Sequence, residues 1–334
     1  VRNRLKKQGV LLCNLGTPDE PTPEAVRRYL AEFLHDKRVV SISRWIWCII
    51  LHGIVLRVRP AKVAKAYKKI WLKEGSPLLV ITQKQRQKLQ NEINERFVDQ
   101  RYGKHVPVEI AMAYGNPSIS SGLQALKNQG CERIIVLPLY PQYSSATTAS
   151  IFDRVAKHFK NEFYVPEITY VGDYHDHPHY IHSLVRSVER FREQHGASQK
   201  LLFSFHGVPE RFSKKGDPYE SQCRKTAELV VKGLGLGEDD YAVSFQSRFG
   251  KEEWVKPYTD ELLTTWAKEG VESVQVISPA FSADCLETLE ELAIENRDTF
   301  IENGGSEYQY IPALNDDRGH IELMLQLIEQ RLLT

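Results

Sequence analysis

The chain has 334 residues, 42% of them hydrophobic and 26% charged, with a net charge of +1 and a mean hydropathy of −0.40. These values exclude intrinsic disorder, a collagen-like fibre and a polytopic membrane protein, and the length suits about two domains. Five cysteines (Cys13, Cys48, Cys131, Cys223, Cys285) are odd in number, widely spaced and without a C-x-x-C pair. They argue against a disulfide framework or a Cys-ligated zinc, and for a reducing compartment.

The start, Val1 to Gly9, is basic and lacks the apolar core of a signal peptide, so a cytoplasmic protein is expected. Short β-branched apolar runs then predict strands at Gly9–Asn14, Val108–Tyr114, Arg133–Leu139, Ile168–Asp173, Lys200–Phe205, Tyr241–Phe245, Ser273–Ser278 and Tyr308–Pro312. Amphipathic patterns between them predict helices, among them Pro23–Leu34, Leu78–Phe97, Tyr219–Leu234, Asp284–Phe300 and His320–Leu332. Strand–helix alternation with continuously apolar strands reads as parallel sheets covered by helices on both faces, a doubly wound α/β fold. The halves look like two similar domains, 1–165 and 166–334, meeting near Phe163–Glu167.

Charge is unevenly placed. Between Lys37 and Lys73 there is no Asp or Glu, while ten Lys and Arg fall in that window. Inside it lies the most apolar stretch, Trp45 to Leu56, bracketed by Arg44 and Arg57. Twelve residues are too few to cross a bilayer, which takes about 20. The run suits either a buried helix or an interfacial position, such as the lip of a pocket for a large apolar anion. Lys62, Lys65, Lys69 and Lys73 share one predicted helix face beside it. Nucleic-acid binding is disfavoured, because no RNP, zinc-finger or basic-zipper pattern is present.

Three strands end in the same punctuation, X-Gly-x-Pro: Leu15 to Pro18, Tyr114 to Pro117 and His206 to Pro209. Ligands of open α/β sheets bind outside the carboxyl ends of strands, so Leu15, Tyr114 and His206 are candidates to face one. Only His206 can do acid–base or metal chemistry near neutral pH. On an ideal α-helix, Asp284, Glu287, Glu291 and Glu295 fall within about an 80° arc, with Leu286, Leu289 and Ala293 opposite. That stripe reads as a solvated face or, at the mouth of the sheet, as carboxylates that hold a cation and pass protons. Imidazole plus carboxylate suits a borderline-hard divalent ion such as Fe²⁺. His175, His177, His179 and His182 read as surface residues, and Gly233-x-Gly235-x-Gly237, followed by three acids, as a helix end and turn.

At this point the residues resemble a family. Asn14–Pro18, Gly75–Leu78, Leu137–Ser145 (LPLYPQYSS), Ser204–Gly207, Phe245–Gly250 (FQSRFG), Pro257–Glu261 and Ser282–Glu291 (SADCLETLEE) occur in the order found in ferrochelatases, and most closely in those of Gram-negative bacteria. The resemblance implies insertion of Fe²⁺ into protoporphyrin IX, with His206 and Glu287 at the metal and Asp284 and Glu291 on the acidic line toward solvent. It implies that Leu15 and Tyr114 face the macrocycle, that Trp45–Leu56 forms a lip, and that Arg57, Arg59 and Ser76 hold propionates. Some members carry an iron–sulfur cluster on C-terminal cysteines. Here the last cysteine is Cys285, and Ser145 stands at the upstream ligand position, so no cofactor is expected. Members acting on coproporphyrin carry Tyr where this chain has Leu15, which favours protoporphyrin IX over coproporphyrin III. Another metal, or a non-catalytic tetrapyrrole carrier, remains the alternative. The acid-free basic window leads us to expect peripheral contact with anionic membrane.

Overall fold

Among the described residues, eight strands form where the apolar runs fall. The computed structural model describes residues 6–97, 105–250 and 252–332; the first five residues of the basic start lie outside them. In chain order the first elements are β1 (Gln8–Thr17), α1 (Pro23–Leu34), α2 (Arg44–Ile50), a π-helical turn (Leu51–Val55), α3 (Leu56–Ile70) and α4 (Pro77–Arg96). They are followed by β2 (Val108–Gly115), α5 (Ile119–Asn128), β3 (Arg133–Pro138), α6 (Thr148–Phe159), β4 (Glu167–Tyr170) and α7 (Pro178–His195). The remainder comprises β5 (Lys200–His206), α8 (Glu210–Lys214), α9 (Tyr219–Leu234), β6 (Tyr241–Gln246) and α10 (Thr259–Lys268). It closes with β7 (Ser273–Ile277), a second π-helix (Glu287–Asn296), α11 (Arg297–Glu302), β8 (Glu307–Ile311) and α12 (Arg318–Leu332).

The strands make two four-stranded parallel sheets of identical order, β2-β1-β3-β4 and β6-β5-β7-β8. In β1, nine of ten residues are buried, as expected for a strand covered on both faces. Leu202, Leu263, Val274, Val276, Leu292 and Phe300 form a core cluster on the second sheet. Helix starts and stops follow from local chemistry. Thr22 Oγ1 accepts the Ala25 N–H ahead of a proline at the first turn of α1, and Gly235 ends α9 in the left-handed conformation.

Two compact units result, and their division differs from the expected 1–165 and 166–334. One unit comprises Val1–Tyr140, Ser145–Asp173 and Asp316–Thr334; the other comprises Pro141–Ser144 and Tyr174–Asn315. β4 belongs to the first sheet because Arg133 to Val136 pair with Glu167 to Tyr170. The terminal helix returns to the first unit, where Arg96 Nη1 donates to Glu322 Oε1 at 2.9 Å and Lys88 pairs with Asp316 at 2.6 Å. Nothing in the local pattern of α12 marks that return.

The carboxyl ends of β1 and β2 lie side by side, Gly16 paired with Tyr114 and Thr17 with Gly115. Gly16 (φ 113°) and Gly115 (φ 85°) both adopt the left-handed region. A Cβ on Gly16 would sit 1.7 Å from the Tyr114 carbonyl oxygen, and one on Gly115 would sit 2.7 Å from that of Thr17. Each position therefore needs the absence of a side chain as well as the backbone freedom of glycine. Gly16→Ala should lower stability by at least about 2 kcal/mol, read as a fall in the urea midpoint. Gly53→Ala, where a Cβ meets nothing within 4 Å, is the control and should be neutral or stabilising. Equal effects at both positions would refute the packing argument.

Candidate active site

The second sheet carries most of the chemistry. His206 is the last residue of β5, half-buried, and stands in register with Gln246 at the end of β6. Its Nδ1 lies 2.7 Å from the Gly207 carbonyl oxygen. A carbonyl only accepts, so Nδ1 bears the hydrogen and Nε2 is left with the lone pair. Gly207 donates its own N–H to the Gln246 carbonyl at 2.7 Å, and a Cβ there would lie 3.1 Å from the Trp254 ring. The Phe281 ring stands 6.5 Å from the imidazole.

Gln246 links three elements. Its Oε1 accepts from Ser204 Oγ at 2.7 Å, which orients the amide so that Nε2 points to the second π-helix. There Nε2 donates to the Glu287 carbonyl oxygen at 3.1 Å and to Glu291 Oε2 at 3.3 Å. Ser247 Oγ donates to the same carboxylate oxygen. Ser247 has φ 64°, an uncommon conformation for a residue with a side chain, and it brings the hydroxyl onto Glu291.

Glu291 is held above the usual carboxylate range. Burial is the main cause and Glu287 adds to it, outweighing the Ser247 and Gln246 hydrogen bonds and the attraction of His206. His206, Glu287 and Glu291 thus share one electrostatic neighbourhood. Glu291 lines a cavity of about 570 Å³ together with Gln246, Ser247, Glu295, Asp298 and Glu302.

Asp284 sits just ahead of the π-helix, buried and saturated. Its Oδ1 accepts from Thr288 Oγ1 at 2.9 Å, the Tyr310 hydroxyl at 2.7 Å and the Ala313 N–H at 3.3 Å; its Oδ2 accepts from Asn315 Nδ2 at 2.7 Å. That arrangement fixes the start of the helix and leaves little of the carboxylate for a substrate ion. Glu287 is half-buried, with the Cys285 thiol beside it pushed well up, first by burial and then by the Glu287 charge.

The single α-helix expected over Asp284–Phe300 is corrected. Glu287–Asn296 is a π-helix, so positions computed at 100° per residue do not hold. Thr288, Glu290, Leu292 and Asn296 are its buried residues, while Glu295 is exposed. Leu286, Leu289 and Ala293, expected opposite the acidic stripe, are half-buried.

In the first unit, Leu15 is half-buried at the end of β1, Arg57 is exposed on α3 and Arg59 half-buried. The expectation that Tyr114 faces a ligand is corrected, because its side chain has no exposed surface. Its hydroxyl donates to Asp36 Oδ2 at 3.0 Å and lies 3.0 Å from Ser150 Oγ, and the Arg154 guanidinium covers its ring at 4.3 Å. Ser76 is likewise buried, its hydroxyl accepting from Thr17 Oγ1 at 2.8 Å, so it is not placed as an open propionate contact. The apolar run is no buried helix: Trp45, Ile49 and Ile54 are 86%, 76% and 61% exposed, and only Trp47, Leu51, Val55 and Leu56 turn inward. Lys62, Lys65 and Lys69 are exposed on α3; Lys73 lies beyond its end. His177 accepts the His179 N–H at 3.3 Å, capping α7.

Sequence reasoning assigned no role to Gln246, Ser247 or Trp254. The signal available was polar residues immediately after an apolar strand, within the Phe245–Gly250 motif.

A model of the ferrochelatase family matches residues 7–332. The chain belongs to the ferrochelatase family. Ferrochelatase of Aeromonas hydrophila is 52% identical over 98% of this chain and 99% of its own, and that of Vibrio parahaemolyticus is 50% identical over 98% of each. Ferrochelatase 1 of Shewanella oneidensis is 53% identical over 97% and 95%. Among solved structures, the sirohydrochlorin chelatase SirB of Bacillus subtilis subspecies spizizenii, in complex with cobalt, shares the fold with a TM-score of 0.55 at 12% identity, over 98% of this chain and 96% of its own. The ferrochelatase reaction inserts ferrous iron into a porphyrin, a lyase step of haem synthesis.

The raised Glu291 carboxyl has a consequence for stability. The folded chain holds that proton to higher pH than the unfolded chain, so its contribution is fully present below the ordinary glutamate value of about 4.3 and is lost as pH rises through the folded value. Glu291→Gln cannot lose the proton. The melting temperature of the variant minus that of the wild type should therefore increase between pH 5 and pH 8. A pH-independent offset would contradict the assignment.

Proposed function

We propose that this chain, a ferrochelatase acting on ferrous iron and a porphyrin, takes protoporphyrin IX as its substrate, with His206, Glu287 and Glu291 as the reacting protein groups. The observation that carries this reading is the His206 imidazole, whose Nδ1–H is committed to the Gly207 carbonyl, so that Nε2 is the nitrogen left to take up a proton, within electrostatic reach of Glu291.

Insertion requires two pyrrole protons to leave and the hydrated cation to exchange water for other ligands. His206 Nε2 takes a proton from the ring nitrogens. Glu287, half-buried beside it, supplies a carboxylate in place of departing water. Glu291, whose proton affinity is raised, relieves His206 of the first proton so that the imidazole can take the second, and passes both in turn into the cavity lined by Glu295 and Asp298. Asp284 acts as a positioning residue that holds the helix bearing both glutamates. Trp254, packed on Gly207, keeps the turn after His206 in place. Leu15, Arg57 and Arg59 meet the macrocycle and its propionates. Leu15 offers no hydroxyl, which favours the more apolar protoporphyrin over coproporphyrin III.

No iron–sulfur cluster takes part. Cys13, Cys131, Cys223 and Cys285 are buried and Cys48 half-buried, spread over β1, α2, α9 and two connections.

The exposed apolar residues Trp45, Ile46, Ile49 and Ile54, beside Arg57, Lys62 and Lys65, suit a peripheral position on an anionic membrane surface. No helix among the described residues is long and apolar enough to cross a membrane.

Anaerobic assays of Fe²⁺ insertion test the chemistry. His206→Ala should lower kcat by a factor on the order of 100 to 10,000 while still quenching on porphyrin binding, and Glu287→Gln by at least about tenfold. Insertion by His206→Ala at the wild-type rate would exclude it as the base. The same protein should show no 2Fe–2S absorbance, and its kcat/KM should be lower for coproporphyrin III; comparable values would remove the substrate preference. Vesicles containing anionic lipid should co-sediment the wild type at low salt, and the double variant Trp45→Asp, Ile49→Asp should stay in the supernatant. Failure of the wild type to sediment ends the membrane proposal.

A further inference from the structure

Two histidines lie outside the reaction chemistry. His35 is the C-cap of α1, and its backbone N–H donates to the Ala31 carbonyl oxygen at 3.1 Å. Its Nδ1 lies 2.5 Å from that same oxygen. The carbonyl accepts, so Nδ1 carries the hydrogen, the ring is fixed, and Nε2 presents a lone pair. His52, exposed on the π-helical turn Leu51–Val55, places its own Nε2 3.3 Å from His35 Nε2. The ring centroids are 5.1 Å apart with a tilt of 55°.

That separation is just beyond the range of about 2.7–3.2 Å for ordinary N–H···O hydrogen bonds. It matches one edge of a tetrahedral metal site. With Zn–N bonds of about 2.0–2.1 Å, two ligands at the tetrahedral angle stand about 3.3–3.4 Å apart. Nδ1–H donation to a carbonyl is also the support that metal-ligating histidines commonly have, since it fixes the tautomer and strengthens the other nitrogen as a ligand.

The surrounding chain is preorganised for this. Trp47 Nε1 donates to the Leu34 carbonyl at 2.7 Å, tying α2 to the end of α1 one residue before His35. Leu51 and Val55 are buried on either side of His52, so the π-helical turn can hold its register while the imidazole points outward. Exposure of His52 leaves the two remaining positions of the ion to water.

We propose that His35 and His52 form a two-imidazole site for a divalent transition-metal ion, which staples the exposed apolar segment 44–56 to the end of α1. Imidazole pairs suit Zn²⁺, Cu²⁺ and Ni²⁺. The site belongs to the first unit and is separate in sequence and chemistry from His206 and Glu287, so it does not depend on the roles assigned to those residues. Its effect is mechanical. An ion that bridges the pair adds a second tether to the one made by Trp47 and restrains the segment that carries Trp45, Ile46 and Ile49.

The experiment uses the full chain without porphyrin and zinc chloride as the probe. Zinc stoichiometry is measured against a chromophoric chelator for the wild type, His52→Ala, His35→Gln and His206→Ala, with amide exchange over residues 44–56 followed with and without zinc. The proposal expects His52→Ala and His35→Gln each to bind one zinc fewer than the wild type. It also expects zinc to slow exchange over 44–56 in the wild type and not in either variant. His52 is exposed, so its replacement should leave the fold intact, and the unliganded exchange pattern elsewhere in the chain checks this. Equal stoichiometry in the wild type and both variants overturns the proposal. So does a zinc count that falls only in His206→Ala, or a segment 44–56 whose exchange in the wild type is indifferent to zinc.

Discussion

The side chain of Gln246 is the constraint on which the site depends. Parallel pairing of β5 and β6 brings it opposite His206, and Ser204 on β5 fixes which end of its amide is donor and which acceptor. With Oε1 committed, both hydrogens of Nε2 go to the second π-helix, one to the backbone at Glu287 and one to the Glu291 carboxylate. One buried amide therefore sets the distance between the strand that ends in an imidazole and the helix that carries the acids. Hydrogen bonds of this kind contribute about 1 kcal/mol each to stability. Their larger effect here is to fix the rotamer and depth of Glu291, and so the environment that raises its proton affinity.

The π-helix follows from two anchors at its start and flank. Asp284 ties the incoming chain to Tyr310, Ala313 and Asn315, while Gln246 and Ser247 hold the segment from the strand side. A π-helix is less favourable than an α-helix of the same length and persists where surrounding contacts specify it, often at functional sites. The half-buried Glu291 and the exposed Glu295 both line the cavity, with Glu287 half-buried one turn before them. A graded series of environments results, from a half-buried pair of carboxyls to a solvated one.

Much of the fold was legible because parallel strands buried on both faces read as continuous apolar runs. All eight predicted strands formed, β1 from Gln8 rather than Gly9 and β4 from Glu167 rather than Ile168. What was not legible has specific causes. Helical-wheel reasoning assumes 3.6 residues per turn, and the segment after Cys285 departs from it. Glu290 is buried although the expected stripe omitted it. The run Trp45–Leu56 is short, and a short apolar run has the same pattern whether it is buried or exposed. α12 joins the first unit through Arg96–Glu322 and Lys88–Asp316, long-range pairings that no local window contains. Gln246 and Ser247 have ordinary polar side chains in sequence, and their role arises from register.

The repeated X-Gly-x-Pro punctuation shows how one backbone device takes on different chemistry. At the paired ends of β1 and β2 the glycines adopt the left-handed region, and the two strand ends also approach each other too closely for a side chain at either position. Tyr114 then becomes part of the packing, its hydroxyl on Asp36 and its ring under Arg154. After β5 the glycine is not in the left-handed region, and the requirement is different: Gly207 leaves room for the Gln246 carbonyl and the Trp254 ring. Its carbonyl oxygen is thereby free to accept the His206 Nδ1 hydrogen and hold the tautomer. Identity at X alone therefore does not decide which strand end is reactive. The role proposed for His206 rests on the turn behind it, which satisfies one ring nitrogen from the backbone, and on Gln246 and Ser247, which hold the helix carrying the glutamates. A histidine placed at Leu15 or Tyr114 would have neither.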